Sequence, residues 1–131
     1  MAMHLLVRGG DDPEAAVQTV RAVLEGLADG VTAVRVAPEA LPDEARKVVD
    51  PVSVATVVLA IPATVLAVVD LADRIKKRRR AQTLVEAARC LRIEKKIEML
   101  VVTVDGPLPL DTMEPDQLLD LATTLRDAAE S

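Results

Sequence analysis

Residues 51–69 form a run of nineteen residues without a charged side chain, most of which are Val, Leu, Ile or Ala. This length exceeds that of an ordinary strand, so the run favours a helix. Such a helix can span a bilayer or pack inside a soluble domain. Basic residues follow it almost directly, and they would hold this end of a spanning helix on the cytoplasmic side. The location of the run therefore decides the class of protein.

Membrane insertion of this predicted helix is marginal. Its ten Val, Leu and Ile residues favour the bilayer by roughly 3 to 6 kcal/mol in total, whereas Pro62 costs a helix interior about 3 kcal/mol. On a helical projection the small residues share one face, which another helix or a sheet can approach closely. This predicted helix-packing face consists of Ser53, Thr56, Ala60, Ala63, Thr64 and Ala67. Both locations remain open at this point.

The composition excludes several classes of protein. The chain contains no Phe, Tyr or Trp, so it lacks the stacking platforms that bind single-stranded nucleic acid and the aromatic belt of many spanning helices. Its one cysteine, Cys90, cannot form an internal disulfide, which fits a reducing compartment. The N-terminal apolar stretch is short and contains His4 and Arg8, unlike a secretory signal. We expect a cytoplasmic protein that binds no nucleic acid, with a single-pass membrane location as the alternative.

The net charge of −5 is unevenly distributed. Residues 1–50 carry nine acidic and five basic side chains, and residues 81–131 carry ten and five. Residues 51–80 carry two acidic and six basic side chains. A basic segment therefore lies between two acidic ones, and it suits an acidic protein surface or anionic lipid headgroups.

Local signals predict the element order β-α-β, long apolar helix, β-β-α. Asp12 and Pro13 are typical of a helix start, and Gly30 of a helix end. Pro107 and Pro109 place the last strand at a sheet edge, because proline donates no ladder hydrogen bond. We also expect Val7, Val34 and Val101 on the buried face of the sheet, and the first two strands to run parallel.

These elements predict one α/β (α+β) domain over residues 1–131, with a four-stranded mixed sheet covered by helices. Its predicted parts are a β-α-β unit over 1–37, a linker over 38–50, a long apolar and basic helical segment over 51–92, and a β-hairpin with a C-terminal helix over 93–131.

Catalytic and metal-binding patterns are missing from the sequence. Nucleophilic triads need a histidine beside the nucleophile, and the only histidine is His4 on a predicted strand. A structural zinc site needs four ligands, which one Cys and one His do not supply. Gly9 and Gly10 precede a helix, but Asp11, Asp12 and Glu14 would repel a phosphate there. We therefore expect a protein that is not an enzyme and has no cofactor, metal or catalytic residues.

Two segments carry a resemblance to a known family. They are Asp70-Leu-Ala-Asp-Arg-Ile-Lys-Lys-Arg-Arg-Arg80 and Glu114-Pro-Asp-Gln-Leu-Leu-Asp120. Together with the element order, they resemble the effector-associated constant component family of bacterial conflict systems, whose members are encoded beside variable effectors such as proteases. The resemblance implies an accessory or adaptor role and no catalytic residues.

The basic stretch is the predicted contact surface. It consists of Arg74, Lys76, Lys77, Arg78, Arg79 and Arg80. Six cations within seven positions cover every face of a helix, so some of them must point towards neighbouring parts of the fold. We predict a non-enzymatic adaptor that uses this stretch and its helix faces to bind a partner protein, a second copy of itself or an anionic membrane surface. The alternative is a single-pass membrane component in which residues 51–69 span the bilayer.

Overall fold

A computed structural model describes residues 2–9, 12–37, 57–103 and 106–130, which form five strands and three α-helices. In chain order these are β1 (Ala2–Gly9), α1 (Pro13–Glu25), β2 (Val34–Val36), β3 (Val57–Pro62), α2 (Leu71–Lys95), β4 (Ile97–Thr103), β5 (Gly106–Pro109) and α3 (Pro115–Glu130). Short 3-10 turns at Ala63–Val65 and Leu110–Thr112 follow β3 and β5.

The strands form one sheet in the order β2-β3-β1-β4-β5, and every neighbouring pair is antiparallel. The predicted α+β class is confirmed, but the sheet is antiparallel with five strands rather than mixed with four. β1 and β2 do point in the same direction, as expected of a β-α-β unit. They are not neighbours, however, because β3 lies between them and pairs with both.

The extra strand comes from the long apolar run, so the helical interpretation of residues 57–69 is wrong. Residues Val57–Pro62 are β3, and a 3-10 turn follows. A strand that is covered on both faces loses its polar alternation and resembles a buried helix in sequence. β-branched residues also suit a pleated surface better than a helix. The first part of the run, with Ser53 and Thr56, lies outside the described residues, as does the predicted linker.

Among the residues described, no helix combines the length and the apolar character that a membrane crossing requires.

The main core lies between the sheet and its three helices. Alternate strand residues such as Leu5, Leu59 and Val101 face the helices and are fully buried there. The helices contribute residues at helical spacing, among them Val20 and Leu24, Leu84 and Ala88, and Leu118 and Ala122. Val7 and Val101 are buried as predicted. Val34 is 53% exposed, contrary to prediction, because its register with Ala60 and His4 places it on the sheet face away from the helices, on a short edge strand.

The opposite face of the sheet carries a second, smaller cluster. Leu6, Val58 and Leu100 are buried and lie in register on three adjacent strands. Val36 and Val102 pack against them. Consecutive residues of β1, β3 and β4 are therefore buried on alternate faces, which explains the continuous apolar stretches in the sequence.

Local signals located the helix starts well. The Asp12 side chain accepts hydrogen bonds from the Glu14 and Ala15 N–H groups at 3.1 and 3.4 Å, as the cap of α1. α1 ends at Glu25 with Gly26 as its C-cap, earlier than the predicted stop at Gly30. α3 begins at Pro115 as predicted, and the two prolines of β5 lie on an edge strand.

Candidate contact site at the start of α2

The basic stretch begins one turn into α2, whose first turn is held by two aspartates. The Asp70 carboxylate caps the helix by accepting the Asp73 N–H at 2.7 Å. The Asp73 carboxylate accepts the Val69 N–H at 3.1 Å. This hydrogen bond, helped by the Lys77 ammonium 3.6 Å away, lowers the pKa of Asp73 below its ordinary value. The start of α2 is therefore fixed to the segment that precedes it.

Lys77 is the buried cation of the stretch, only 8% exposed. Its Nζ donates to the carbonyl oxygens of Thr64 at 2.8 Å and Ala67 at 3.1 Å, besides facing Asp73. These carbonyls belong to the connection between β3 and α2, where no strand or α-helix pairs them. A buried ammonium needs such partners, and the carbonyls need a donor. Lys77 is thus a part of the fold rather than of a free surface.

Arg80 has the same role one turn further along α2. Its guanidinium donates to the Val65 carbonyl oxygen at 3.0 Å. The four described residues of the predicted helix-packing face do not lie on an α-helix. Ala60 lies on β3 and is half-buried, Ala63 and Ala67 are buried in the turn and loop, and Thr64 is exposed. The β3–α2 connection contributes backbone carbonyl oxygens to its contact with α2.

Arg74 and Arg78 point towards α3. Arg74 lies 3.3 Å from Asp116 and 3.9 Å from Asp120, and Arg78 lies 3.8 Å from Asp116. These side chains are 40 to 73% exposed, so each pair contributes no more than about 0.2 to 1 kcal/mol. The acidic C-terminal region therefore neutralises part of the basic stretch from within the fold.

Lys76 and Arg79 face solvent on another side of α2. Within the described ranges, no carboxylate lies at salt-bridge distance from either of them. Both line a surface groove of about 570 Å³ between the end of α1 and the first half of α2. The groove is lined by Gly26, Leu27, Ala72, Ile75, Lys76, Arg79, Arg80 and Thr83. It combines cations with aliphatic side chains, and none of the described residues in its wall is acidic.

Aliphatic side chains are exposed beside these cations. Val69, Leu71 and Ile75 are 75%, 85% and 71% exposed. Leu71 and Ile75 lie four residues apart and so share one face of α2. Single exposed aliphatic residues are ordinary, whereas three within seven positions form a patch that another surface can cover.

The only histidine and the only cysteine of the chain are on different layers of the fold. His4 alternates with the buried Leu5 and lies half-buried on the sheet face away from the helices. Burial lowers the pKa of His4 below its ordinary value of 6.5. Cys90 is exposed on α2, in the helical layer. The two therefore do not form a nucleophile and base pair.

Across ranges 2–9, 12–37, 57–103 and 106–130, no three His, Cys, Asp or Glu side chains are grouped closely enough to hold a metal ion.

Comparison of the chain with protein-family models, with curated proteins and with solved structures gives no match.

Sequence reasoning identified all six cations. It did not reveal which of them the fold pairs, nor that exposed aliphatic side chains lie beside Lys76 and Arg79. The sequence does contain a signal for these exposed aliphatic side chains. Leu71 and Ile75 lie on the opposite side of a helical projection from Leu84, Ala88 and Leu91, which form the buried stripe. Aliphatic residues outside the buried stripe, next to Lys76 and Arg79, indicate an exposed mixed surface.

Proposed function

We propose that this protein is a non-enzymatic adaptor that binds an acidic surface of a partner protein through Lys76 and Arg79. The resemblance to the effector-associated constant component family suggests an effector, such as a protease, as that partner. We place this interaction in the cytoplasm. A second copy of the chain, which is acidic on either side of its basic stretch, is a further candidate partner.

The division of the basic stretch is the observation that carries this proposal. Lys77 and Arg80 bind carbonyls of the β3–α2 connection, and Arg74 and Arg78 face Asp116. In the described part of the fold, no carboxylate lies at salt-bridge distance from Lys76 or Arg79, although the chain has a net charge of −5. Exposed, unpaired cations on an acidic protein attract a partner of opposite charge and suppress wrong partners.

A peripheral membrane role is the second candidate. The exposed Val69, Leu71 and Ile75 beside cations have the chemistry of a helix end that lies in an anionic headgroup region. A protein partner fits better, because Lys76 and Arg79 line a concave groove, whereas a bilayer surface requires a convex or flat contact.

Affinity capture with in-cell cross-linking tests the adaptor proposal. The chain is tagged in its native cells as the parent, as Lys76→Gln/Arg79→Gln, and as Lys95→Gln/Lys96→Gln. The last variant removes the same charge from exposed positions about 28 Å away, at the last residue of α2 and its C-cap. We expect one defined partner with the parent and the control variant, and its loss with Lys76→Gln/Arg79→Gln. Identical capture by all three proteins contradicts the proposal.

A further inference from the structure

The groove at the start of α2 has two kinds of wall. Ile75, on α2, supplies exposed aliphatic surface, and Leu27, two residues after α1, lines the groove although it is only 9% exposed. Lys76 and Arg79 supply positive charge, and no described carboxylate lies at salt-bridge distance from either of them. Arg80 also lines the groove, but its guanidinium is bound to the Val65 carbonyl. A volume of about 570 Å³ is ample for several side chains of a partner.

The spacing of the cations sets the spacing of the anions they can bind. Lys76 and Arg79 are three residues apart on a helix, so their Cβ atoms lie about 5–6 Å from each other. Carboxylates at positions i and i+4 of a partner helix have the same separation. A leucine at position i+3 of that helix shares their face and would lie against the exposed Ile75.

We propose that the groove binds a helical acidic segment of the partner protein, in which two carboxylates one turn apart flank an aliphatic side chain. This inference rests on the proposed adaptor function and adds the chemistry of the recognised segment. The carboxylates bind Lys76 and Arg79, and the aliphatic side chain covers Ile75. The mixed wall explains why Ile75 is 71% exposed next to cations in the absence of a partner.

The test uses a labelled helical peptide with Glu at positions i and i+4 and Leu at position i+3, which we call the Glu-Leu-Glu peptide. Its fluorescence anisotropy is measured while it is titrated with the full-length chain. Matched peptides carry Gln for both Glu residues, or Ser for Leu. The protein variants are Lys76→Gln/Arg79→Gln and Ile75→Ser. Their controls are Lys95→Gln/Lys96→Gln and Ile93→Ser, which change equally exposed positions at the far end of α2.

We expect Lys76→Gln/Arg79→Gln to weaken peptide binding about tenfold, and Ile75→Ser or the Leu-to-Ser peptide about fivefold. Both control variants should bind like the parent. All substituted positions are exposed, so the variants should fold. Unchanged binding of the Leu-to-Ser peptide would overturn the mixed recognition while leaving an acidic partner intact.

Three other results overturn the inference. The first is absence of binding between the parent and the Glu-Leu-Glu peptide. The second is equal weakening by the control variants, which would indicate attraction to charge alone. The third is binding to phosphatidylserine vesicles that depends on Lys76 and Arg79 without any peptide binding, which would assign the surface to a membrane. The capture experiment above decides separately whether these cations bind a protein in cells.

Discussion

The buried side chain of Lys77 joins α2 to the connection that precedes it. It donates to two carbonyls of the β3–α2 connection and faces the aspartate that holds the start of α2. Its neighbour Lys76 is exposed and has no such contacts in the described structure. These two adjacent lysines of α2 therefore have different roles: Lys77 stabilises the fold, and Lys76 is exposed at the surface.

Replacing each lysine by methionine separates the two roles. Lys77→Met should lower the free energy of unfolding by about 2 kcal/mol, because it leaves the Thr64 and Ala67 carbonyls without a donor. Lys76→Met, the matched control, should change it by no more than about 0.5 kcal/mol. Urea unfolding monitored by circular dichroism gives both values. Equal effects of the two substitutions would show that the buried contacts of Lys77 contribute nothing to stability.

His4 gives the fold a pH dependence of its own. Burial holds the pKa of His4 below 6.5, so the unfolded chain binds a proton more readily than the folded one. Its contribution is therefore fully present above about pH 6.5 and is lost as the pH falls from there towards the folded pKa. Urea unfolding of the parent should show falling stability between about pH 7.5 and 5.5. His4→Gln should be flatter over this range, and an identical slope would contradict the assignment.

Among the elements, β3 shows most clearly where sequence reasoning succeeded and failed. The cap at Asp12, the helix start at Pro115 and the edge prolines of β5 are local signals, and each was interpreted correctly. The strand at Val57–Pro62 has no such signal, because burial on both faces removes the period-2 pattern. The burial of some cations of the basic stretch depends on that strand. Because residues 57–62 form β3, the carbonyls that follow it face Lys77 and Arg80. Interpreting the run as a helix could not reveal these contacts.

Alanine substitutions along β3 test burial on both faces. Leu59→Ala should cost about 2 to 5 kcal/mol in the main core. Val58→Ala, on the opposite face, should cost more than about 1 kcal/mol, since Val58 packs with Leu6 and Leu100. Thr64→Ala is the exposed control from the adjoining turn and should be nearly neutral. A Val58→Ala variant as stable as Thr64→Ala would mean that only one face of this strand is packed.

At the scale of the whole molecule, the fold leaves two cations of the basic stretch, Lys76 and Arg79, directed outwards. The sheet brings both halves of the chain together, with β1 between β3 and β4. α2 crosses the helical layer, and α3 presents acidic side chains to Arg74 and Arg78. Only part of the basic stretch is thereby neutralised. The remaining cations lie beside exposed aliphatic residues, an arrangement suited to a partner that is acidic and amphipathic.

The most direct measurement is the location of binding on the intact protein. Backbone amide chemical shifts are followed by two-dimensional NMR while the full-length chain is titrated with the Glu-Leu-Glu peptide. The largest shifts should fall at Gly26, Leu27 and the first half of α2, and added salt should weaken them because the contact is charged. Largest shifts at the far end of α2 or on β5, or no shifts at all, would contradict the assignment of this groove as the contact surface.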